Sequence, residues 1–166
     1  MDFRSINVLI LDADGVLTDG RLRFGSEGEE GKTFHARDGC AIRLWQRAGH
    51  RTAILSGRRH PAVDRRATEL GIACVRQGER AKDEGYRAVC ELLGASDAQV
   101  CYVGDDLPDL APMSRCAFPV AVANAAPAVK MAARYVTDCP GGGGAVAEVI
   151  ELVLRKQHRW SRKLWE

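Results

Sequence analysis

Three times along this chain a helix-like stretch closes on a glycine and a short apolar run follows. Ala41, Ile42, Leu44 and Trp45 recur at helical spacing before Gly49, and Arg51-Thr52-Ala53-Ile54-Leu55 comes next. A stretch near 62–70 stops at Gly71 ahead of Ile72-Ala73-Cys74-Val75, and one over 81–93 stops at Gly94 ahead of Val100-Cys101-Tyr102-Val103. Glycine readily takes the left-handed conformation that ends a helix. An apolar run too short for a helix reads as a strand buried on both faces. Their alternation predicts an α/β fold, a doubly wound parallel sheet with helices on both faces and right-handed crossovers. The pattern continues with a strand at 117–122, a helix at 127–133 and a last strand at Tyr135-Val136. The glycines at 141–144 read as a flexible hinge before a helix bearing Val146, Val149, Ile150, Val153 and Leu154.

The first strand, Leu9-Ile10-Leu11, ends in Asp12-Ala13-Asp14-Gly15. Alternation turns Asp12 and Asp14 to the same side, at the carboxyl edge where open α/β sheets place ligands. Two carboxylates that close do not ionise independently unless a cation joins them or one keeps its proton. The pair is a candidate metal and phosphoryl site; as a lone motif it is equally a polar turn, since Asp favours turns. Short alternating segments at 21–24 and 32–36 flank Gly25-Ser26-Glu27-Gly28 and predict a small hairpin leaving this strand's exit. The hairpin is too small to be a separate cap domain. Asp38 is expected to cap the helix that follows.

With 166 residues the chain suits one domain, expected at 1–155 with a basic tail at 156–166. A net charge of +2 gives no nucleic-acid surface. Lys156, Arg159, Arg162 and Lys163 cluster in the tail, with Arg155 just before it, where cations also offset a helix dipole. Trp160 and Leu164 fit packing on another chain or on the protein's own surface. The six cysteines show no C-x-x-C spacing and read as small buried hydrophobes of a reducing compartment. No stretch has the length of a membrane span, and Asp12 interrupts the amino-terminal apolar run, so a cytoplasmic protein is expected.

Polar residues accumulate at the ends of the predicted strands: Asp12 and Asp14, then Ser56, then Asp105 and Asp106, with Lys82 from a helix start. Each alone is a common turn or cap residue. A parallel sheet, however, gathers its strand ends along one edge. Together they supply a carboxylate nucleophile, a second carboxyl for proton transfer and oxygen ligands for a hard cation. A hydroxyl and an ammonium remain to hold phosphate oxygens.

With Asp12-x-Asp14-Gly15, Ser56, Lys82 and Gly104-Asp105-Asp106-x-x-Asp109 in this order, the chain resembles the haloacid dehalogenase superfamily. The resemblance implies that Asp12 is the nucleophile and Asp14 the general acid and base. Asp12, the backbone carbonyl of Asp14, and Asp105 would hold Mg²⁺, with Asp106 or Asp109 supporting through water. Ser56 and Lys82 would grip the phosphoryl group. Asp14-Gly-Val-Leu-Thr-Asp-Gly20, Arg37-Asp-Gly39, Ser56-Gly-Arg58 and the glycine run are similar to one capless subfamily. This is the group of 3-deoxy-D-manno-octulosonate 8-phosphate phosphatases, with nonulosonate 9-phosphate relatives. That group associates as tetramers through its hairpins, with a neighbour's surface and tail closing each site. Thr18, Gly57 and Arg58 are candidate substrate contacts, Arg58 standing where the octulosonate group has arginine, and Arg66 is a further candidate cation from the helix that follows it. Gly143 and Ala147 stand where the octulosonate group carries arginine, so the nonulosonate substrate remains the alternative. A receiver domain shares the acidic pocket but runs its motifs in another order. An accessory subunit of a larger complex is the remaining reading.

Overall fold

The computed structural model describes residues 2–72 and 74–166. Six parallel strands form the sheet in the order β5-β4-β1-β6-β7-β8. They are β1 (Val8–Leu11), β4 (Arg51–Ser56), β5 (Cys74–Gln77), β6 (Val100–Gly104), β7 (Phe118–Ala121) and β8 (Tyr135–Val136). β1, β6 and β7 are buried along their whole length, as expected of strands covered on both faces. The helices are α1 (Ala36–Arg47), α2 (Pro61–Leu70), α3 (Lys82–Leu93), α4 (Leu110–Arg115), α5 (Pro127–Ala132) and α6 (Ala145–Lys156). α1 packs on α6 and α2, while α3 packs on α4 and α4 on α5. The chain steps from β1 outward to β4 and β5, then returns to the other side of β1 for β6, β7 and β8. That reversal beside β1 is a topological switch point, where the loops diverge and leave a crevice.

The expected α/β architecture stands, with two-residue strands β2 (Arg23–Phe24) and β3 (Glu30–Gly31) forming the hairpin. The second arm begins two residues earlier than the sequence pattern indicates. β5 runs over Cys74–Gln77 rather than 72–75; Ala73 lies outside the described residues. The helix stops at Gly71 and Gly94 agree with expectation, both glycines taking left-handed φ.

Two local expectations change. Asp38 does not cap α1, which begins at Ala36; its carboxylate instead accepts the Ala147 N–H at 2.8 Å and so caps the first turn of α6. Burial pushes its carboxyl up from the ordinary value. The glycine run is not a flexible hinge either. The Gly142 N–H donates to Val16 O at 2.9 Å, and Gly141 N–H to Asn124 Oδ1 at 2.8 Å. A Cβ at Gly141 would overlap Gly15 O, and one at Gly142 would overlap the Thr18–Asp19 backbone. The missing side chains let two backbones touch, and the run forms the floor beneath the loop that follows β1.

The tail folds back on its own chain. Arg47 donates to Leu164 O at 3.2 Å and Arg159 to Ala48 O at 2.7 Å, while Trp160 and Leu164 pack onto the core. These contacts lie beyond the carboxyl end of α1, at the sheet edge where β4 starts, away from the strand exits. Among the described residues no helix is long and apolar enough to cross a membrane.

Candidate active site

β1 ends at Leu11, and the Asp12 N–H reaches Val103 O on β6 at 3.1 Å, so the backbone stays in the sheet up to the first carboxylate. The chain then makes a wide turn over 13–17, closed by Thr18 N–H to Ala13 O at 3.1 Å, with Gly15 at φ +88°. Asp12, Asp14, Ser56, Gly57, Arg58, Lys82, Asp105 and Asp106 line one cleft of about 290 Å³ at the strand exits. Gly20, Leu22 and Pro108 complete its wall.

Lys82 is the cation at the bottom of the cleft. Its Nζ lies 3.0 Å from Asp12 Oδ1 and 2.6 Å from Asp109 Oδ1, with the side chain 4% exposed. Burial alone would depress the ammonium, but the carboxylates of Asp12 and Asp109 raise it above its ordinary value. Asp109 is wholly buried and holds the cluster together: it accepts from Lys82, from the Tyr102 hydroxyl at 2.7 Å and from the backbone N–H groups of Asp105 and Asp106 at 2.9 and 3.1 Å.

The remaining carboxylates are electrostatically crowded. Burial, then the charge of Asp109, pushes Asp12 up to about 6 against the pull of Lys82. Burial and the charges of Asp12 and Asp109 push Asp105 up to about 8. Asp105 Oδ1 is buried with no hydrogen-bond partner among the described residues. Asp12, Asp105 and Asp109 each bring an oxygen within 4.8 Å of the others. Four donors already occupy the lone pairs of Asp109, which makes it a support rather than a ligand. Asp12 and Asp105 retain free oxygens, all hard donors of the kind Mg²⁺ takes. An orphaned buried carboxylate oxygen beside a second raised carboxyl is what a divalent cation would satisfy, so these residues fit one.

The haloacid dehalogenase-like hydrolase family profile matches residues 75–150. A 3-deoxy-D-manno-octulosonate 8-phosphate phosphatase of Yersinia pestis is 41% identical over 155 residues, 93% of this chain and 83% of the relative. The chain belongs to the haloacid dehalogenase-like hydrolases. The Moraxella catarrhalis octulosonate phosphatase, solved with magnesium, phosphate and KDO, superposes with a TM-score of 0.92 at 36% identity, covering 96% of this chain and 91% of that one. The cobalt-bound deoxy-D-mannose-octulosonate 8-phosphate phosphatase of Haemophilus influenzae gives a TM-score of 0.94 at 34% identity, with 99% of both chains covered.

Among haloacid dehalogenase residues expected from sequence, Asp12, Asp14, Ser56, Gly57, Arg58, Lys82 and Asp105 meet in the cleft. Thr18 does not reach it as a ligand-binding group. Its hydroxyl is 3.3–3.4 Å from the N–H groups of Gly15 and Gly20 and from Ala13 O, so it shapes the turn instead. Arg66 also lies elsewhere, in a separate cavity with Lys32, Phe34 and Arg65. Its guanidinium sits 5.9 Å from the Phe34 ring centroid and 2.9 Å from Glu69, between α2 and the segment before α1 and outside the cleft. Asp106 caps the turn after β6 through Leu107 N–H at 2.8 Å. Tyr102 and the hairpin residues Glu30 and Lys32 are site residues the sequence reading did not single out. A tyrosine inside an apolar strand does signal a buried polar partner, whereas nothing in the hairpin's local pattern marks Lys32.

Proposed function

We propose that this protein is a Mg²⁺-dependent phosphomonoesterase that hydrolyses 3-deoxy-D-manno-octulosonate 8-phosphate or a closely related phosphorylated sugar acid. The observation that carries the chemistry is the convergence of Asp12, Asp14, Lys82 and Asp105 in one cleft at the switch point. The relatives' names supply the substrate class, and Arg58 at the cleft wall offers a cation to a sugar carboxylate.

In the first step an Asp12 oxygen attacks phosphorus, the ester P–O bond breaks, and Asp14 gives the departing oxygen its proton. In the second, water attacks phosphorus of the aspartyl phosphate, passes a proton to Asp14 and releases phosphate, which restores Asp12. Lys82 orients Asp12 and, with Ser56, offsets charge on the phosphoryl oxygens. Asp12, Asp105 and the Asp14 backbone carbonyl would hold Mg²⁺, which neutralises phosphate charge when bound.

Asp12→Asn is expected to lower turnover of any phosphate ester by on the order of 10³-fold or more. Its melting curve should stay near that of the parent. Near-parent activity would remove Asp12 as nucleophile. A kcat/KM comparison of octulosonate and nonulosonate phosphates decides the sugar. A purified chain inert toward every ester with Mg²⁺ would favour the accessory-subunit reading. Leu22 and Phe24 are 48% and 64% exposed on the hairpin; an apolar ribbon of this kind supports the homotetramer that the subfamily resemblance implies. The continuous core spanning Ile6 to Leu154 supports a single domain at 1–155, with 156–166 as an appended tail.

A further inference from the structure

The stem of the hairpin packs against Asp14, one of the residues that line the cleft. Lys32 follows β3, and its Nζ meets Asp14 Oδ1 and lies 3.2 Å from Glu30 Oε1. Its side chain is only 2% exposed. A lysine ammonium is costly to withdraw from water unless carboxylates replace the solvent; here two do. Glu30 in turn takes Arg58 Nη2 at 2.6 Å, and its backbone oxygen lies 3.0 Å from His60 Nε2. The stem is thereby tied to the loop that leaves β4. Arg58 Nε stands 3.9 Å from Asp14 Oδ2, so the chain of contacts through Lys32, Glu30 and Arg58 closes on the Asp14 carboxyl.

The two oxygens of Asp14 are not equivalent in these contacts. Oδ1 accepts from Lys32, while Oδ2 is buried with no hydrogen-bond partner among the described residues. A carboxyl that hands a proton to an ester oxygen needs one oxygen free and its plane held in a fixed direction.

We propose that Lys32 is a positioning residue for the proton carrier, holding Asp14 by Oδ1 so that Oδ2 presents the proton to the leaving group. Glu30 keeps the ammonium in place. The inference rests on the reading of Asp14 as general acid. In the step concerned, the bond from Asp12 oxygen to phosphorus forms and the ester P–O bond breaks. The electron pair of that bond takes the proton from Oδ2, leaving an alcohol and an Asp14 carboxylate still held by Lys32. The hairpin stem is then part of the site and not only a projection from it.

The test compares two esters. Departure of the alcohol is the first irreversible step, so kcat/KM reports on it and not on the later hydrolysis of the phosphoenzyme. An alkyl ester such as 3-deoxy-D-manno-octulosonate 8-phosphate needs a proton on its leaving oxygen, whereas p-nitrophenyl phosphate releases a stable phenolate without one. Lys32→Met is expected to lower kcat/KM for the alkyl ester by about 10²-fold, the scale of a displaced catalytic group, and for the aryl ester by a much smaller factor. Surviving aryl activity shows that the site is folded, and Lys32→Arg should restore most of the alkyl rate. Asp14→Asn serves as the reference. If it depresses both esters equally, the general-acid reading itself fails. If it discriminates between them while Lys32→Met lowers both in parallel or neither, the role of Lys32 is overturned. An Arg variant as impaired as Met overturns it too.

Discussion

Gly15 shows how tightly single residues are specified around the clustered carboxylates. It stands at φ +88°, and a Cβ there would overlap the Asp105 carboxylate. Gly15→Ala is expected to cost about 1–2 kcal/mol through left-handed strain and to push Asp105 aside. The concentration of Mg²⁺ needed for half-maximal activity should rise while kcat falls. An unchanged Mg²⁺ requirement would show that Asp105 does not hold the ion. At this scale the sequence was informative where chemistry sits at a strand end: Asp12 and Asp105 follow β1 and β6 and Ser56 ends β4, which a parallel sheet brings together. It was silent where side-chain direction decides. Thr18 and Arg66 have suitable chemistry but spend it on the turn and on Phe34 and Glu69. Asp109 resembles a ligand by type, yet four donors saturate it.

Among the elements, those delimited by local signals were legible. The left-handed glycines at 71 and 94 end α2 and α3, and Pro127 starts α5, because each acts within its own turn. Elements whose role depends on distant chain were not. Asp38 caps α6 from α1, more than a hundred residues away, so its short-range cap pattern pointed to the wrong helix. The second hairpin arm is shifted because β2 and β3 pair over only two residues each, and alternation over so short a stretch does not fix register. The glycine run has the composition of a linker, but packing against 15–19 gives it a defined shape. The hairpin carries exposed apolar Leu22 and Phe24 on its first arm and the charged Glu30 and Lys32 on and just after its second.

The whole molecule places two carboxyls under stress that a cation relieves. Asp12 is raised to about 6 and Asp105 to about 8 from an ordinary 3.8. Both bind protons more tightly folded than unfolded, so their contribution to stability is complete below the unfolded value and is lost as pH rises through about 6 and about 8. Mg²⁺ competes with those protons, so the stabilisation it confers grows across the same window. Melting curves with and without Mg²⁺ should differ little near about pH 5 and clearly near about pH 8. A Mg²⁺ increment independent of pH would show that these carboxyls do not receive the ion. The parallel sheet whose strand exits set up this crowding followed from the alternation of apolar runs and glycine stops; its strand order comes from the structure. The tail did not: Arg159 and Leu164 return to α1, a partner that a basic terminal segment gives no local sign of choosing.

The contact between Gly142 and Val16 also equips the protein with an internal clock. The Gly142 amide hydrogen is lodged against the underside of the loop that carries Asp12 and Asp14, so it meets solvent deuterium only when that loop lifts. Its exchange is expected to be slow in the free protein and slower again with Mg²⁺ and inorganic phosphate added. Exchange at the pace of an exposed loop amide would reveal that Asp12 and Asp14 rest on ground that gives way.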